Sequence, residues 1–230
     1  MTASESLNIP PPCPRREDLR SGPVTALVAG RGGKADVLLA GSGESAVIVK
    51  DFAGRGFWGR LLGRLQIAHE TRAYGWLGGI AGVPRFVGRI DRWALAIERV
   101  PGRQLAFVEV SPPDGERLHA MLRTVVEAIH GRGVVHNDLR GRENVLLRPD
   151  GGLAVIDFAG ALRLEPGGLA HRLFFRILAV PDEAALLKWK GMLAPGGYTA
   201  EEEAFLRRFE RWRALWPFNP KRRKGKPGAA

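Results

Sequence analysis

The chain has 230 residues, 45% of them hydrophobic, and a formal net charge of +11 from 35 Lys and Arg against 24 Asp and Glu. That length fits one large domain or two small lobes, no apolar run reaches the ~18–20 residues of a membrane span, and a lone cysteine, Cys13, excludes an intrachain disulfide and a Cys-based zinc site. The charge predicts attraction to phosphate-rich partners: a nucleotide, a nucleic acid or an anionic membrane surface.

Residues 1–20 are rich in Pro and polar side chains and read as a flexible, extended N-terminal segment. Met1 to Ser6 offers neither a basic start nor an apolar core. No signal peptide is expected, and the expected compartment is the cytoplasm. Three strands follow, over 24–28, 36–40 and 46–52, joined by glycine-rich turns of hairpin length. In the first turn, Gly30, Gly32 and Gly33 carry no side chain to block backbone N–H groups from phosphate oxygens. Lys50 closes the apolar run Val47-Ile48-Val49 and, taken alone, reads as a strand-edge lysine snorkelling to water.

Residues 55–65 mix Arg55, Arg60 and Arg64 with Phe57, Trp58, Leu61, Leu62 and Leu65 at near-helical spacing. This suits an interfacial helix on anionic lipid and equally a short helix capping the first lobe. A main helix is predicted over 67–77, carrying Glu70. A hairpin over 83–90 and 93–100 ends at Pro101-Gly102. Ser111 with Pro112 then opens a long helix. Its buried stripe is predicted as Leu118, Leu122, Val125 and Ile129, with Gly131 and Gly133 as its stop.

The densest chemistry lies over 134–158. Val134-Val135, Val145-Leu146-Leu147 and Leu153 to Ile156 read as short buried strands, with Pro149-Asp150-Gly151-Gly152 as the turn between the last two. Each apolar run borders a polar residue that a core has no use for: Asp138, Asn144 and Asp157. A hairpin would gather them at one edge. Two carboxylates and an amide oxygen are hard ligands, suited to Mg²⁺ and to a hydroxyl proton. Beyond them, helices are predicted over 173–180, buried, then from Pro181 through Met192, then from a capping box at Thr199 to Glu202. Phe205, Phe209, Trp212 and Trp216 stripe the last one. Residues 221–226 form a basic tail, read as a solvated end.

The motif His136-Asn137-Asp138-Leu139, with Asp157-Phe158-Ala159-Gly160 after it, resembles the H-R-D-L and D-F-G segments of the protein-kinase-like superfamily. The resemblance covers about 24–160, and its small bacterial RIO-like and lipopolysaccharide (Kdo or heptose) kinase members are most similar in size and motif order. It implies an α+β, bilobal protein-kinase-like fold: an antiparallel-sheet N-lobe over 21–100, and a reduced, mainly helical C-lobe over 101–220 between the flexible ends 1–20 and 221–230. It implies Asp138 as catalytic base and Asp157 as the main Mg²⁺ ligand. Lys50 would grip the ATP phosphates, held by Glu70. Glu98 and Val100 would offer backbone groups to the adenine. The sequence departs from the family in spacing: Asn144 lies six residues after Asp138, where the pattern has five. Glu143 occupies the unshifted place, so the resemblance leaves Asn144 and Glu143 both as candidates for the second metal ligand.

The implied activity is an ATP- and Mg²⁺-dependent phosphotransferase. Its acceptor would be a hydroxyl of a lipopolysaccharide-type sugar, hence a glycolipid, or of a protein Ser or Thr. Contact with the inner face of the cytoplasmic membrane is an expected accompaniment. The alternative is a pseudokinase that binds nucleotide or a partner without turnover. Nucleic-acid binding rests on charge alone, and nucleic acid is not the expected partner.

Overall fold

A computed structural model describes residues 11–194 and 196–215. The fold is α+β. A short helix, α1 (Asp18–Ser21), leads into β1 (Val24–Val28), β2 (Asp36–Ala40) and β3 (Val47–Asp51). A long helix, α2 (Phe57–Leu77), separates them from β4 (Phe86–Arg89) and β5 (Ala94–Glu98). These strands form one antiparallel sheet in the order β1-β2-β3-β5-β4.

Alternation along β3 decides where its lysine goes, because successive side chains point to opposite faces. Val47 and Val49 pack with Ala40, Ala94 and Ala96 in a small cluster on one face. Ile48 belongs to the main core on the other face. Lys50 shares the Ile48 face, which α2 covers through Ile67, Ala73, Tyr74 and Leu77.

The second half is mainly helical. After β6 (Arg103–Gln104) come α3 (Pro112–Gly131), β7 (Val134–Val135), β8 (Val145–Leu147), β9 (Leu153–Val155) and β10 (Leu162–Arg163). Helices α4 (Leu169–Leu178), α5 (Val180–Leu193) and α6 (Ala200–Leu215) follow. Strands β8 and β9 form the expected hairpin, with β6 on the outer side of β8, while β10 pairs with β7. Ser111 caps α3 by accepting the Asp114 N–H, with proline in the first turn. Leu118, Leu122, Val126 and Ile129 are buried along it, each worth about 1.5–3 kcal/mol relative to exposure. Helix α3 lies so close to the end of α5 that a Cβ at Gly115 would stand 1.7 Å from the Leu193 carbonyl oxygen.

Four expectations are corrected. Residues 11–20 are not an unpacked spacer: Arg16 forms ion pairs with Asp51 and Asp91, and Cys13 packs where a Gly88 Cβ would stand. Helix α2 begins at Phe57, ten residues before the expected start, so the basic, apolar stretch is its first half. Gly63 permits this, because a Cβ there would stand 2.3 Å from the Phe52 ring. In α3 the stripe takes Val126 in place of Val125, which is half-buried. The helix expected to be buried over 173–180 is α4, and it buries no residue fully. Residues 1–10, Trp216 and the basic tail lie outside the described residues. Among those described, no helix is long and apolar enough to cross a membrane.

Candidate functional site

Lys50, Glu70 and Asp157 meet where β3, α2 and the segment after β9 converge. The Lys50 ammonium lies 2.5 Å from Glu70 Oε1 and 2.7 Å from Asp157 Oδ1. Glu70 and Lys50 are shielded, with side chains 1% and 11% exposed, whereas Asp157 is 43% exposed. The triad therefore has a closed end and an open end. Burial alone would lower the Lys50 ammonium, but the Glu70 and Asp157 charges hold it above its ordinary value. Burial would likewise raise the Asp157 carboxyl, yet Lys50 and the Ala159 N–H keep it below its ordinary value. Asp157 is thus a fixed anion with one oxygen, Oδ2, left without a hydrogen bond among the described residues.

The His136–Asp138 loop forms the other wall. Asn137 and Asp157 both have positive φ, 65° and 69°, a region costly for side chains other than glycine's and tolerated where the surroundings impose it. At Asn137 the imposing group is Asp182 from α5. Its carboxylate accepts the His136 N–H at 2.7 Å and the Asn137 N–H at 2.8 Å, and His130 Nε2 lies 3.0 Å away. Helix α5 holds the loop again two turns on, where Trp189 Nε1 donates to the Leu139 carbonyl and Lys188 Nζ to that of Arg140.

Asn144 reaches Asp138 despite the extra residue. A turn absorbs it: the Gly141 N–H donates to the Asp138 carbonyl, and the Asn144 N–H to the Gly141 carbonyl. Asn144 Nδ2 then donates to the Asp138 carbonyl at 2.8 Å and to Asp138 Oδ2 at 3.3 Å. A Cβ at Gly141 would stand 2.6 Å from that Nδ2. Asn144 is buried, whereas Glu143 is exposed on the turn. Partial burial raises the Asp138 carboxyl, Asn144 pulls it back, and the Asp157 and Glu143 charges raise it further. The two aspartates and Asn144 therefore share one neighbourhood, as the hairpin argument expected.

A column of rings runs through the molecule behind the site. Phe86 stacks on Tyr74 at 6.4 Å, Tyr74 meets the Phe158 edge at 5.4 Å, and Phe158 lies 4.8 Å from His136. His136 Nε2 lies 3.1 Å from the Ile156 carbonyl oxygen and Nδ1 faces the Asp138 N–H, which sets the orientation of the ring. His69 adds a tie from α2 to the Ala161 carbonyl. The charged triad and the loop are thereby carried on one packed support.

The remaining expected residues lie on the first hairpin and at the end of β5. The Gly30 N–H donates to Asp36 Oδ1, and a Cβ at Gly30 would collide with the Ala35 carbonyl, so this glycine serves the hairpin itself. Gly32, with φ 63°, and Gly33 have open space around them at the hairpin tip. Glu98 ends β5 with its carboxylate on Arg85 and its N–H donating to the Arg85 carbonyl. Val100 is half-buried in the connection that follows.

The donor set fits a hard divalent cation such as Mg²⁺: Asp157 Oδ2 is open, and Asn144, its Nδ2 engaged by Asp138, has Oδ1 as its acceptor. Glu143, solvated on the turn, is the weaker candidate. Asp182 was not anticipated. It reads as an ordinary acid in the first turn of a helix, yet it falls in register with Leu186 and Trp189, both buried. A carboxylate on an apolar stripe is the signal that marks it.

No family model matches the chain. A similar curated protein is the "Probable SapB synthase" of Streptomyces coelicolor, 30% identical over 127 residues, which cover 45% of this chain and 13% of that protein. The chain thus spans a small part of that relative's length.

Proposed function

We propose that the chain is a phosphotransferase of the protein-kinase-like kind, moving the γ-phosphoryl group of ATP to a hydroxyl with Mg²⁺ as the metal. The observation that carries this reading is the Lys50 ammonium held between buried Glu70 and half-exposed Asp157. A cation fixed beside a shielded carboxylate, with a second carboxylate open on its other side to hold a metal, suits a phosphate chain. The sheet half and the helical half would be the two lobes, with the site between them. The name of the Streptomyces relative marks an enzyme, which is consistent with a catalytic role here.

In this reading Lys50 binds phosphate oxygens and Glu70 keeps it in place. Asp157 and Asn144 would hold Mg²⁺, which supplies charge neutralisation on the phosphates. Asp138 accepts the acceptor's hydroxyl proton on its carboxylate, the freed oxygen forms a bond to the γ-phosphorus, and the bond to the bridging oxygen breaks, releasing ADP. A raised carboxyl suits a base that must take a proton. Asn144, locked on Asp138, orients it. The acceptor is a glycolipid sugar or a protein Ser or Thr.

Labelled ATP offered with membrane lipids, total protein and free sugars tests this. Transfer that needs Mg²⁺ and disappears in Asp138→Asn supports it. Nucleotide binding without transfer to any acceptor class supports the pseudokinase alternative instead, and absence of nucleotide binding removes both.

A further inference from the structure

Helices α2 and α4 carry the same nine-residue pattern, although they lie in different halves of the molecule. In residues 57–65, Phe57, Leu61, Leu62 and Leu65 alternate with Arg60 and Arg64. In residues 169–177, Leu169, Leu173, Phe174 and Ile177 occupy the same four places, and Arg172 and Arg176 the same two. At 3.6 residues per turn the four apolar places make one stripe about 140° wide, with both arginines along the same flank.

In the structure both stripes are bare. All eight apolar side chains are between 45% and 74% exposed. The helices pack through other faces. Helix α2 uses Gly63, Ile67 and Tyr74, and α4 sets Phe175 edge-on to His130 at 5.5 Å. Single exposed leucines are ordinary, but two ordered rows with aromatic members mark contact surfaces.

Charge selects the occupant. Neither 55–69 nor 166–181 contains an acidic residue. Among the described residues, none of the four arginines is in an ion pair; Arg60 lies over the Trp93 ring at 4.4 Å. A second copy of a chain with net charge +11 would bring cation against cation. A bilayer with anionic headgroups offers an apolar layer and negative charge at the depth where an amphipathic helix lies.

We propose that the exposed stripes of α2 and α4 are docking elements for an anionic phospholipid surface. The apolar rows enter the acyl boundary and the arginines meet the headgroup phosphates. This stands independently of the phosphotransfer reading, since lipid binding needs neither nucleotide nor turnover.

The test is sedimentation of the full chain with phosphatidylcholine vesicles, alone or with about 30% phosphatidylserine. The variants are Leu62→Glu with Leu65→Glu, and Leu173→Glu with Ile177→Glu; all four positions are exposed, and circular dichroism checks the fold. The wild type is expected to bind only the anionic vesicles, less as salt rises. Each double variant should weaken partitioning about ten-fold or more, and the combined variant should not sediment. In wild type, brominated lipid should quench fluorescence that Trp58→Phe loses, which needs no folded charged variant. Equal binding to both vesicle types, binding indifferent to either stripe, or a dimer that the same variants dissociate would each overturn the proposal.

Discussion

Asp182 accepts the backbone N–H of His136 at 2.7 Å, reaching back 46 residues along the chain. The same carboxylate takes the Asn137 N–H. Removing it leaves two N–H groups without their acceptor, at about 1–3 kcal/mol each. Asp182→Ala is therefore expected to lose roughly 2–6 kcal/mol, read as a lower urea midpoint. Asp182→Asn should lose less, because its remaining oxygen still accepts one of the two.

Lys50→Met should both destabilise the protein and stop phosphoryl transfer. Deleting one member of a buried ion pair costs about 3–5 kcal/mol. The open, solvated end at Asp157 moves the expectation to the lower end of that range. Transfer is expected to fall about 100-fold or more. Glu70→Gln keeps the shape and one acceptor, so it should lower transfer with a smaller loss in thermal midpoint.

The triad also sets a pH window. The Asp157 carboxyl lies below its usual 3.8 because Lys50 outweighs burial. A depressed carboxylate contributes stability above the unfolded value and loses it as pH falls through the folded one. Lys50 lies above its usual 10.5, so its contribution is full below 10.5 and lost as pH rises through the folded value. The stability difference between wild type and Lys50→Met should shrink as pH rises past the Lys50 limit; on the acid side it should shrink first as Glu70, whose carboxyl burial holds above its usual 4.5, takes up a proton, and then as Asp157 does. Asp157→Asn should remove the later, more acid part of that decline and leave the Glu70 part, measured by denaturant titrations across pH.

Asp138 gives a separate acid limb. Burial raises its carboxyl above the usual 3.8, and a base must be ionised to act. The expected profile of kcat/KM falls as pH falls through that raised value. Because the fold disfavours its charge, Asp138→Asn should abolish transfer while leaving thermal stability at neutral pH equal to wild type or higher.

Asn144 and Glu143 are separable by metal titration. Asn144→Ala should raise the Mg²⁺ concentration needed for half-maximal transfer at least about ten-fold and loosen Asp138. Glu143→Ala, at an exposed position, should leave that concentration within about two-fold. The reverse order would exchange their roles.

Local chemistry made the sheet half legible. The strand bounds at 24–28 and 36–40 match those expected, because glycine turns and alternating apolar residues both depend on near neighbours. The gathering of Asp138, Asn144 and Asp157 was legible for the same reason: a short hairpin carries it. The Lys50–Glu70 pair was anticipated from resemblance, and its geometry required the sheet to turn Lys50 toward α2. What failed was long-range. Nothing near residue 182 in sequence announces that its carboxylate belongs under His136. Helix α4 misled because an apolar run reads as buried, and its sequence does not say that Phe175 turns to His130 of α3 while Leu169, Leu173, Phe174 and Ile177 stay exposed. Helix α2 began early because Gly63, a poor helix former, fits against Phe52.

The anchor at Asp182 has a consequence for how the chain matures at the ribosome. Every group of the motif has emerged by Asp157, but the clamp on His136 and Asn137 comes 46 and 45 residues after them, and the Trp189 clamp on Leu139 50 residues after it. Contacts at such separations close late. A nascent fragment ending before α5 holds every side chain of the motif and none of these clamps, so the loop takes its held shape only once that helix has been made.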